Sequence, residues 1–469
     1  VKKLNQAILI EQSEEETRVA IVENSRLAEL HIERPEDKPG VGDLYYARVI
    51  NVLTGLGCAF LDAKTSKNLF LPFSEIVDGK EPKDGQFYIV QVTKEAVRDK
   101  GPAVTTNVAL PGRYIVYMPL DTSIGISSRI QDRDERSELR LIASELAGSE
   151  GVIVRTEASG IAARALKGDL NYQRTIWRSV IKRAKHMDGP GLLFRAPDLA
   201  MTTIREAFTD EVEQVLIDGP EEFKALRRYA HSFAPHLTKR IILWKDLTPL
   251  FEHYGIEEQI ARLMLNKVKL PSGGWIMIEQ SEALTAIDVN SGGFTSSEGG
   301  PEETAFQLNR EAAKEVMYQL RLRNIGGIII VDFVDMAKRE HREQLVQLLT
   351  RETSKDKAKI DILPVTRLGL VQITRQRKTP SLAQVLCREC PWCQGSGLLL
   401  SPQTLYIQVK KKILRSAPGI PGRRLDVSVH PDVGRLFDKK TISDLSRRLK
   451  KEIHIRLDYT LHPNDCKLS

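Results

Sequence analysis

No apolar run in the 469 residues approaches the 18 or so needed to span a bilayer as a helix. The opening stretch is dense in glutamate and holds no signal-peptide core. These absences lead us to expect a cytoplasmic chain with no membrane segment. Cysteine is sparse, at five residues, and the clustering of three of them points to metal or redox chemistry more than to a disulfide framework. No phosphate loop ending in Gly-Lys-Ser/Thr occurs, and no Gly-x-Gly-x-x-Gly opens a helix after a strand, so an ATPase is disfavoured. None of the nine histidines sits in a Ser/His/Asp-like signature, which counts against a serine or thiol hydrolase. Internal repeats and low-complexity tracts are absent too.

What remains is a globular composition, 41% hydrophobic and 28% charged, in a chain long enough for roughly three domains. Sixty-nine basic residues against 62 acidic give a net charge of +7, a mild lean toward a polyanionic partner.

The chain is organised around residues 283–336. Two short apolar runs, 283–287 and 328–331, read as buried strands, and each delivers an aspartate at its end, Asp288 and Asp332. Between them the sequence predicts a helix. Pro301 suits its first position, Glu302 and Glu303 its first turn, Arg321 and Arg323 its last, and Gly326 and Gly327 end it. Its apolar stripe is Phe306, Ala313, Val316 or Met317, and Leu320. Strand, helix, strand is a right-handed crossover that sets the two strands parallel, so both aspartates emerge at one carboxyl edge. With Asn290 two residues beyond the first, they form an all-oxygen donor set suited to Mg²⁺. The chemistry this allows is phosphodiester hydrolysis without a protein nucleophile. The competing reading is that both aspartates cap turns or neighbouring helices. Asp335 belongs to the other face of a continued strand and reads as structural.

In chain order, residues 7–11, 17–23 and 26–32 read as a three-stranded meander too small to bury its own faces. After the breaker-rich 33–40 come short alternating strands to about Asn107, the pattern of a small OB-type barrel. Phe60 and Phe70, with Arg98 and Lys100 nearby, read either as a stacking-plus-cation surface for single-stranded nucleic acid or as plain core. Residues 112–200 form another unit: a strand 114–118, a helix 136–146, a strand 152–156 and a long helix from about 160 to 187. The last helix has an apolar stripe of Leu166, Leu170, Trp177, Ile181 and Ala184. Arg155 and Thr156, at a strand end, read as a phosphate clamp or as a solvated terminus. Strands near 212–218 and 239–244 are the natural partners of the meander, making the units between them insertions in a split domain. Strands 359–363 and 370–374 follow, with Arg375, Arg377 and Lys378 beside them. Residues 399–469 read as a small basic α/β tail with Lys410, Lys411, Lys412, Arg423, Arg424, Arg447 and Arg448.

Cys387, Cys390 and Cys393 cluster, and Cys-Pro-x-Cys followed by Gly-x-Gly is half of a zinc knuckle. Tetrahedral zinc wants four ligands. Either distant Cys466 is borrowed, or two chains each contribute a pair.

Five stretches together carry a resemblance: Thr285-Ala-Ile-Asp288-Val-Asn290-Ser, Glu302-Glu-Thr-Ala-Phe, Gln319-Leu-Arg-Leu-Arg323, Val331-Asp332-Phe-Val-Asp335-Met and Cys390-Pro-Trp-Cys393-Gln-Gly-Ser-Gly. In that order the chain closely resembles the ribonuclease E/G family of endoribonucleases. The resemblance implies an α/β multidomain fold: a split ribonuclease H-like domain over 1–35 and 201–265, an OB-fold barrel over 36–108 and a 5′-sensor over 109–200. It further implies a deoxyribonuclease I-like catalytic subdomain over 266–386, a zinc link over 387–398 and a small C-terminal domain over 399–469. The implied catalytic residues are Asp288, Asp332 and Asn290, with Mg²⁺ on the two aspartates. RNA contacts fall on Phe60, Phe70 and Lys100, and the 5′-phosphate sensor on Gly112, Val116, Arg155, Thr156 and Lys359. Structural Zn²⁺ falls on Cys390 and Cys393, one pair per chain, which implies a homodimer, with pairing of dimers into a tetramer the further option. Ser128 stands where relatives often carry a basic residue, leaving Arg129 as the nearest guanidinium, and Cys387 is extra. The absence of a long Pro/Arg-rich extension places the chain with the shorter type of the family. The implied activity is cleavage of single-stranded RNA to 5′-phosphate and 3′-hydroxyl ends, with preference for 5′-monophosphorylated substrates, in rRNA maturation and mRNA decay. A non-catalytic RNA-binding assembly factor is the alternative, and a DNA-cutting nuclease shares the metal logic.

Overall fold

The computed structural model describes residues 4–34, 39–77, 79–96, 100–293, 300–366, 368–376 and 379–469. Arg98, Arg377 and Lys378, named above as candidate cations, lie outside the described residues. The chain divides into two compact units, Val1–Val385 and Leu386–Ser469. Among the described residues no helix is long and apolar enough to cross a membrane.

The N-terminal meander finds its missing partners. Strands Gln6–Gln12, Thr17–Glu23 and Arg26–Glu33 are antiparallel, and Gln6–Gln12 pairs in parallel with Gln214–Ile217, which pairs in parallel with Ile241–Leu243. Ile8, Ile10, Val215 and Ile217 from this sheet are sealed beneath helices Leu199–Ala207 and Pro220–Phe233.

The barrel closes. Strands Leu44–Leu53, Cys58–Asp62, Leu69–Pro72, Ala103–Thr105 and Phe87–Lys94 pair in turn, and the last returns to the first. This is an OB-like arrangement, with Val49, Leu61, Leu71 and Val90 filling the interior. Gly191–Phe194, which the sequence reading did not place as a strand, adds to the outside of the barrel along Leu44–Leu53.

A four-stranded sheet, Leu110–Pro111, Ile115–Met118, Gly151–Val154 and Ile124–Ile126, carries helices Arg133–Ala147 and Ala163–Lys185. The buried face of the second helix differs from the stripe expected. It includes Asp169, Gln173 and Val180, while Trp177 and Ile181 lie at its margin. The cause is the buried Asp169 carboxylate, which accepts the Tyr114 and Ile115 N–H groups at 2.8 and 3.2 Å and so turns the helix to the strand end.

The last sheet of the first unit runs Lys267–Lys269, Trp275–Gln280, Leu284–Asn290, Gly327–Asp332, Leu370–Arg375 and Ile360–Ile362. Leu284–Asn290 and Gly327–Asp332 are parallel, joined by helix Gly300–Leu322, whose Phe306, Ala313, Val316, Met317 and Leu320 are buried. Here the structure corrects the sequence reading, which took both strands as buried. Only alternate residues are covered: Thr285, Ile287, Val289, Ile329 and Val331 face the helices, whereas Leu284, Ala286 and Ile328 are exposed. The helices close one face of the sheet and leave the other open.

The second unit is a three-stranded sheet, Glu452–Leu457, Arg424–Val429 and Cys466–Leu468, under helices Pro402–Ser416 and Lys439–Leu449. Its basic runs are partly structural. Lys412 Nζ donates to the Cys466 carbonyl at 2.9 Å, and Arg424 to Asp426.

Candidate active site and nucleic-acid interface

Asp288 and Asp332 are register partners on adjacent parallel strands. Neighbouring strands lie about 4.8 Å apart, and cross-strand partners point to the same face, so the two carboxylates leave the same edge side by side. Both are exposed, on the open face. Asn290 Nδ2 donates to Asp288 Oδ2 at 2.7 Å, which fixes the rotamer of that carboxylate. Among the described residues no three His, Cys, Asp or Glu side chains gather as a metal cluster. The donor set is therefore two carboxylates and an amide, which matches a hard cation that keeps much of its shell for water and substrate.

The crossover helix holds this edge in place through residues that periodicity alone could not assign. Asn309, fully buried, accepts from the Val334 N–H at 3.0 Å and donates to the Val334 carbonyl at 2.7 Å, clamping the chain just past Asp332. Glu302 accepts the Ala337 and Lys338 N–H groups at 2.9 and 3.0 Å, capping helix Arg339–Glu352 from outside. The Lys338 and then the Ala337 amide hold its carboxyl below the usual range. His341 stacks on Phe306 with ring centroids 4.2 Å apart and lies 3.0 Å from Glu302. Their clue in sequence was the Glu302-Glu-Thr-Ala-Phe run, whose polar members periodicity leaves unexplained. Asp335 is exposed and lines a small cleft of about 170 Å³ with Phe333, Met336 and Arg342.

On the barrel, Phe60 and Phe70 are cross-strand partners with ring centroids 5.9 Å apart, both half-buried. Lys100 is exposed, three residues before Ala103, which pairs with Phe70. A Cβ on the intervening Gly101 would come within 2.0 Å of the Asn68 carbonyl oxygen, so only glycine lets these segments run this close.

The structure also gathers Gly112, Arg155 and Thr156. Arg155 Nη1 donates to the Gly112 carbonyl at 2.7 Å, and Thr156 Oγ1 lies 2.8 Å from Ser127 Oγ. A Cβ on Gly112 would strike the Asp169 carboxylate at 2.3 Å. Val116 pairs with Ile153 on the same sheet. The guanidinium, however, is already occupied: both Glu206 oxygens accept from Arg155, and Glu157 lies 3.5 Å from its Nε. Burial opposes the charge on Glu206, but the hydrogen bonds from Arg155 outweigh it and hold the pKa low. Sequence reasoning missed Glu206, since a carboxylate 51 residues from its partner leaves no periodic trace. Lys359 is exposed, 3.9 Å from Asp361. Its neighbour Lys357 reaches the Glu206 carbonyl at 3.4 Å, and its own carbonyl accepts from Arg129 at 2.9 Å, so this loop does border the pocket.

In the second unit, Cys390 is exposed and Cys393 half-buried. The Cys393 N–H and then the Trp392 N–H face the Cys390 sulfur and lower its pKa, as a knuckle requires. Gln394 N–H donates to the Cys390 carbonyl at 2.8 Å, and Gly395 turns the chain at φ +84°. These two soft donors suit zinc. Cys466 does not complete a three-residue group with them among the described residues.

Fold and site together define a mixed α/β protein that couples a closed OB-like barrel to an acidic, open-faced sheet edge. The sequence model of the Ribonuclease E/G family matches residues 109–378, and the chain belongs to that family. It is 36% identical to Ribonuclease G of Haemophilus influenzae over 427 residues, 87% of each chain. It is 32% identical to Ribonuclease G of Escherichia coli over 473 aligned positions, 96% of each. With Ribonuclease E of Escherichia coli it shares 35% identity over 86% of this chain but 40% of that protein.

Proposed function

We propose that this protein is a metal-dependent endoribonuclease that hydrolyses single-stranded RNA to 5′-phosphate and 3′-hydroxyl ends. The observation that carries the reading is the register pairing of Asp288 with Asp332 at an open sheet edge, with Asn290 bonded to the first. Asp288 and Asp332 would hold Mg²⁺, which when bound polarises a phosphoryl oxygen and lowers the pKa of water. Asn290 keeps Asp288 in one rotamer, and Asn309 and Glu302 fix the chain beyond Asp332, so the carboxylates meet the phosphate preorganised. The barrel pair Phe60 and Phe70, with Lys100, stacks bases upstream or downstream of the cut. Arg155, Gly112, Val116 and Thr156, with Lys359 two residues along the chain from Lys357, read a 5′-terminal phosphate, giving a preference for 5′-monophosphorylated RNA.

In this reading the split sheet is ribonuclease H-like, the six-stranded sheet deoxyribonuclease I-like, and Cys390 and Cys393 of two chains share one Zn²⁺ in a homodimer. The work of such an enzyme is maturation of rRNA and decay of mRNA in the cytoplasm. The test compares one single-stranded RNA bearing 5′-monophosphate, 5′-triphosphate or 5′-hydroxyl, with Mg²⁺ or EDTA, against wild type and Asp288→Asn. Cutting should need both the metal and Asp288, and the monophosphate should be fastest. Cleavage that survives EDTA and the substitution alike overturns the metal reading; equal rates on all three ends remove the sensor.

A further inference from the structure

The open face of the six-stranded sheet carries an aromatic ring and two lysines beside the aspartate pair, and the reading above uses none of them. In strand Trp275–Gln280, Ile276 and Ile278 are buried beneath the helices, so Trp275 and Met277 stand on the opposite face, half-buried. Register extends this across the sheet. Met277 pairs with Lys267 on one side and Asp288 on the other, and Asp288 pairs with Asp332. Trp275 pairs with Lys269 on one side and Asn290 on the other. Cross-strand partners share a face, so one row reads Lys267, Met277, Asp288, Asp332. The row beside it, about 7 Å further along the strands, reads Lys269, Trp275, Asn290.

The indole is held rather than loose. A Cβ on Gly292, where φ is +61°, would come within 2.8 Å of Trp275 Cζ3, so this glycine lets the chain after Asn290 close on the ring. Lys267 Nζ sits 3.6 Å from the ring centroid. Neither Lys267 nor Lys269 forms an ion pair among the described residues, whereas most cations of this unit that hold their surroundings in place do so through carboxylates. A held indole under a movable ammonium, one strand from a phosphodiester site, has the two parts needed to bind one nucleotide: a π-face and a phosphate partner.

We propose that Trp275 and Lys267 grip the nucleotide adjoining the scissile phosphate, its base stacking on the indole as the Lys267 ammonium swings from the ring to the neighbouring phosphate. The assignment rests on the endoribonuclease reading and adds to it a second stacking site, at the cut itself rather than on the barrel. Every base has a π-face, so the site demands that a base be present and is indifferent to which.

The test uses the full chain as wild type, Trp275→Ala, Trp275→Phe and Lys267→Gln. The substrate is a single-stranded RNA in which one abasic position is walked across the cleavage point. With Mg²⁺, kcat/KM is measured; in EDTA, affinity and quenching of indole fluorescence are measured, the Trp275→Phe signal being subtracted to remove Trp177, Trp244 and Trp392. Trp275→Ala should weaken binding and kcat/KM about 5- to 100-fold on intact RNA. Trp275→Phe should keep most of both, and an abasic residue at one position beside the cut should abolish the difference between wild type and Trp275→Ala. Lys267→Gln should weaken binding and flatten its salt dependence. A Trp275→Ala loss that is equal on every abasic substrate, or an absent loss, overturns the proposal while leaving the nuclease reading intact. Wild type that fails to cut, yet shows Trp275-dependent quenching and the abasic effect on affinity, sinks the nuclease reading and sustains the stacking site.

Discussion

Replacing Glu206 by glutamine should sharpen discrimination between RNA ends. Arg155 offers its fork to both Glu206 oxygens, and the two side chains are only 20% and 29% exposed, so a 5′-terminal phosphate meets a guanidinium already neutralised. Hydrogen bonds to charged groups contribute roughly 1.5–3 kcal/mol net. An incoming phosphate must displace or share them. Glutamine keeps one acceptor and removes the charge, so about half of that opposition, on the order of 1.4 kcal/mol, should disappear. One such increment is about tenfold in an equilibrium. The Glu206 pKa is depressed below the ordinary carboxylate value, so the carboxylate is ionised throughout the neutral range and the competition is present at any assay pH near 7. The assay is the ratio of kcat/KM on 5′-monophosphate RNA to that on 5′-hydroxyl RNA. It should rise about tenfold in Glu206→Gln and fall to unity in Arg155→Ala. An unchanged ratio in Glu206→Gln beside a collapsed one in Arg155→Ala refutes the competition. An unchanged ratio in both refutes Arg155 as the reader.

Asn309→Ala removes both partners of the part-buried Val334 N–H and C=O, each costing about 1 kcal/mol or more, so urea unfolding of the first unit should show a loss of roughly 2–3 kcal/mol; a loss under about 1 kcal/mol would show that the clamp is dispensable. Cys390→Ser should abolish bound zinc by elemental analysis and shift the mass in light scattering toward monomer, and a dimer unchanged in mass and metal rules out the shared site. Asp218 is pushed up to about 6, chiefly by burial and then by the charges of Glu11 and Glu222 against the help of the Gln12 amide. For a carboxylate whose folded pKa is raised, the folded state binds the extra proton, so stability falls as pH rises from about 4 to about 6 and the penalty is complete above that. Asp218→Asn should therefore raise the melting temperature at pH 7.5, by a stabilisation of about 1 kcal/mol after allowance for solvent screening, with no gain below pH 4 or so. Equal gains at both pH values would show that charge is not the cause.

Strand and helix placement was legible because it rests on local patterns. The apolar stripe of Gly300–Leu322 and the Asp at each strand end were enough to expect two parallel strands with Asp288 and Asp332 at one edge, and the structure adds that the two are register partners. The meander's need for partners was equally legible, since three short strands cannot bury themselves, and the runs near 212–218 and 239–244 supply them. What sequence hid was every pairing between distant polar groups. Glu206 on Arg155, Asn309 on Val334 and Asp169 beneath Gly112 each join segments through a single side chain, and no spacing announces them.

The misreading of the two central strands as buried has the same root and the larger consequence. A run such as Ile328-Ile-Ile-Val331 reads as covered on both faces, because apolar residues at every position are the mark of a sheet sandwiched between helices. In fact Ile329 and Val331 are buried while Ile328 is 51% exposed. A single exposed apolar side chain is ordinary on a folded protein, so the fault lies in reading the run and not in the fold. The row that follows along the same face is Asp332, Asp288, Met277 and Lys267, with Trp275 beside it. That face passes from Ile328 through the two carboxylates to Met277 and Lys267, with Trp275 and Lys269 in the adjoining row. What the misreading hid is accessibility: the open face that exposes Ile328 is the one on which Asp288 and Asp332 stand.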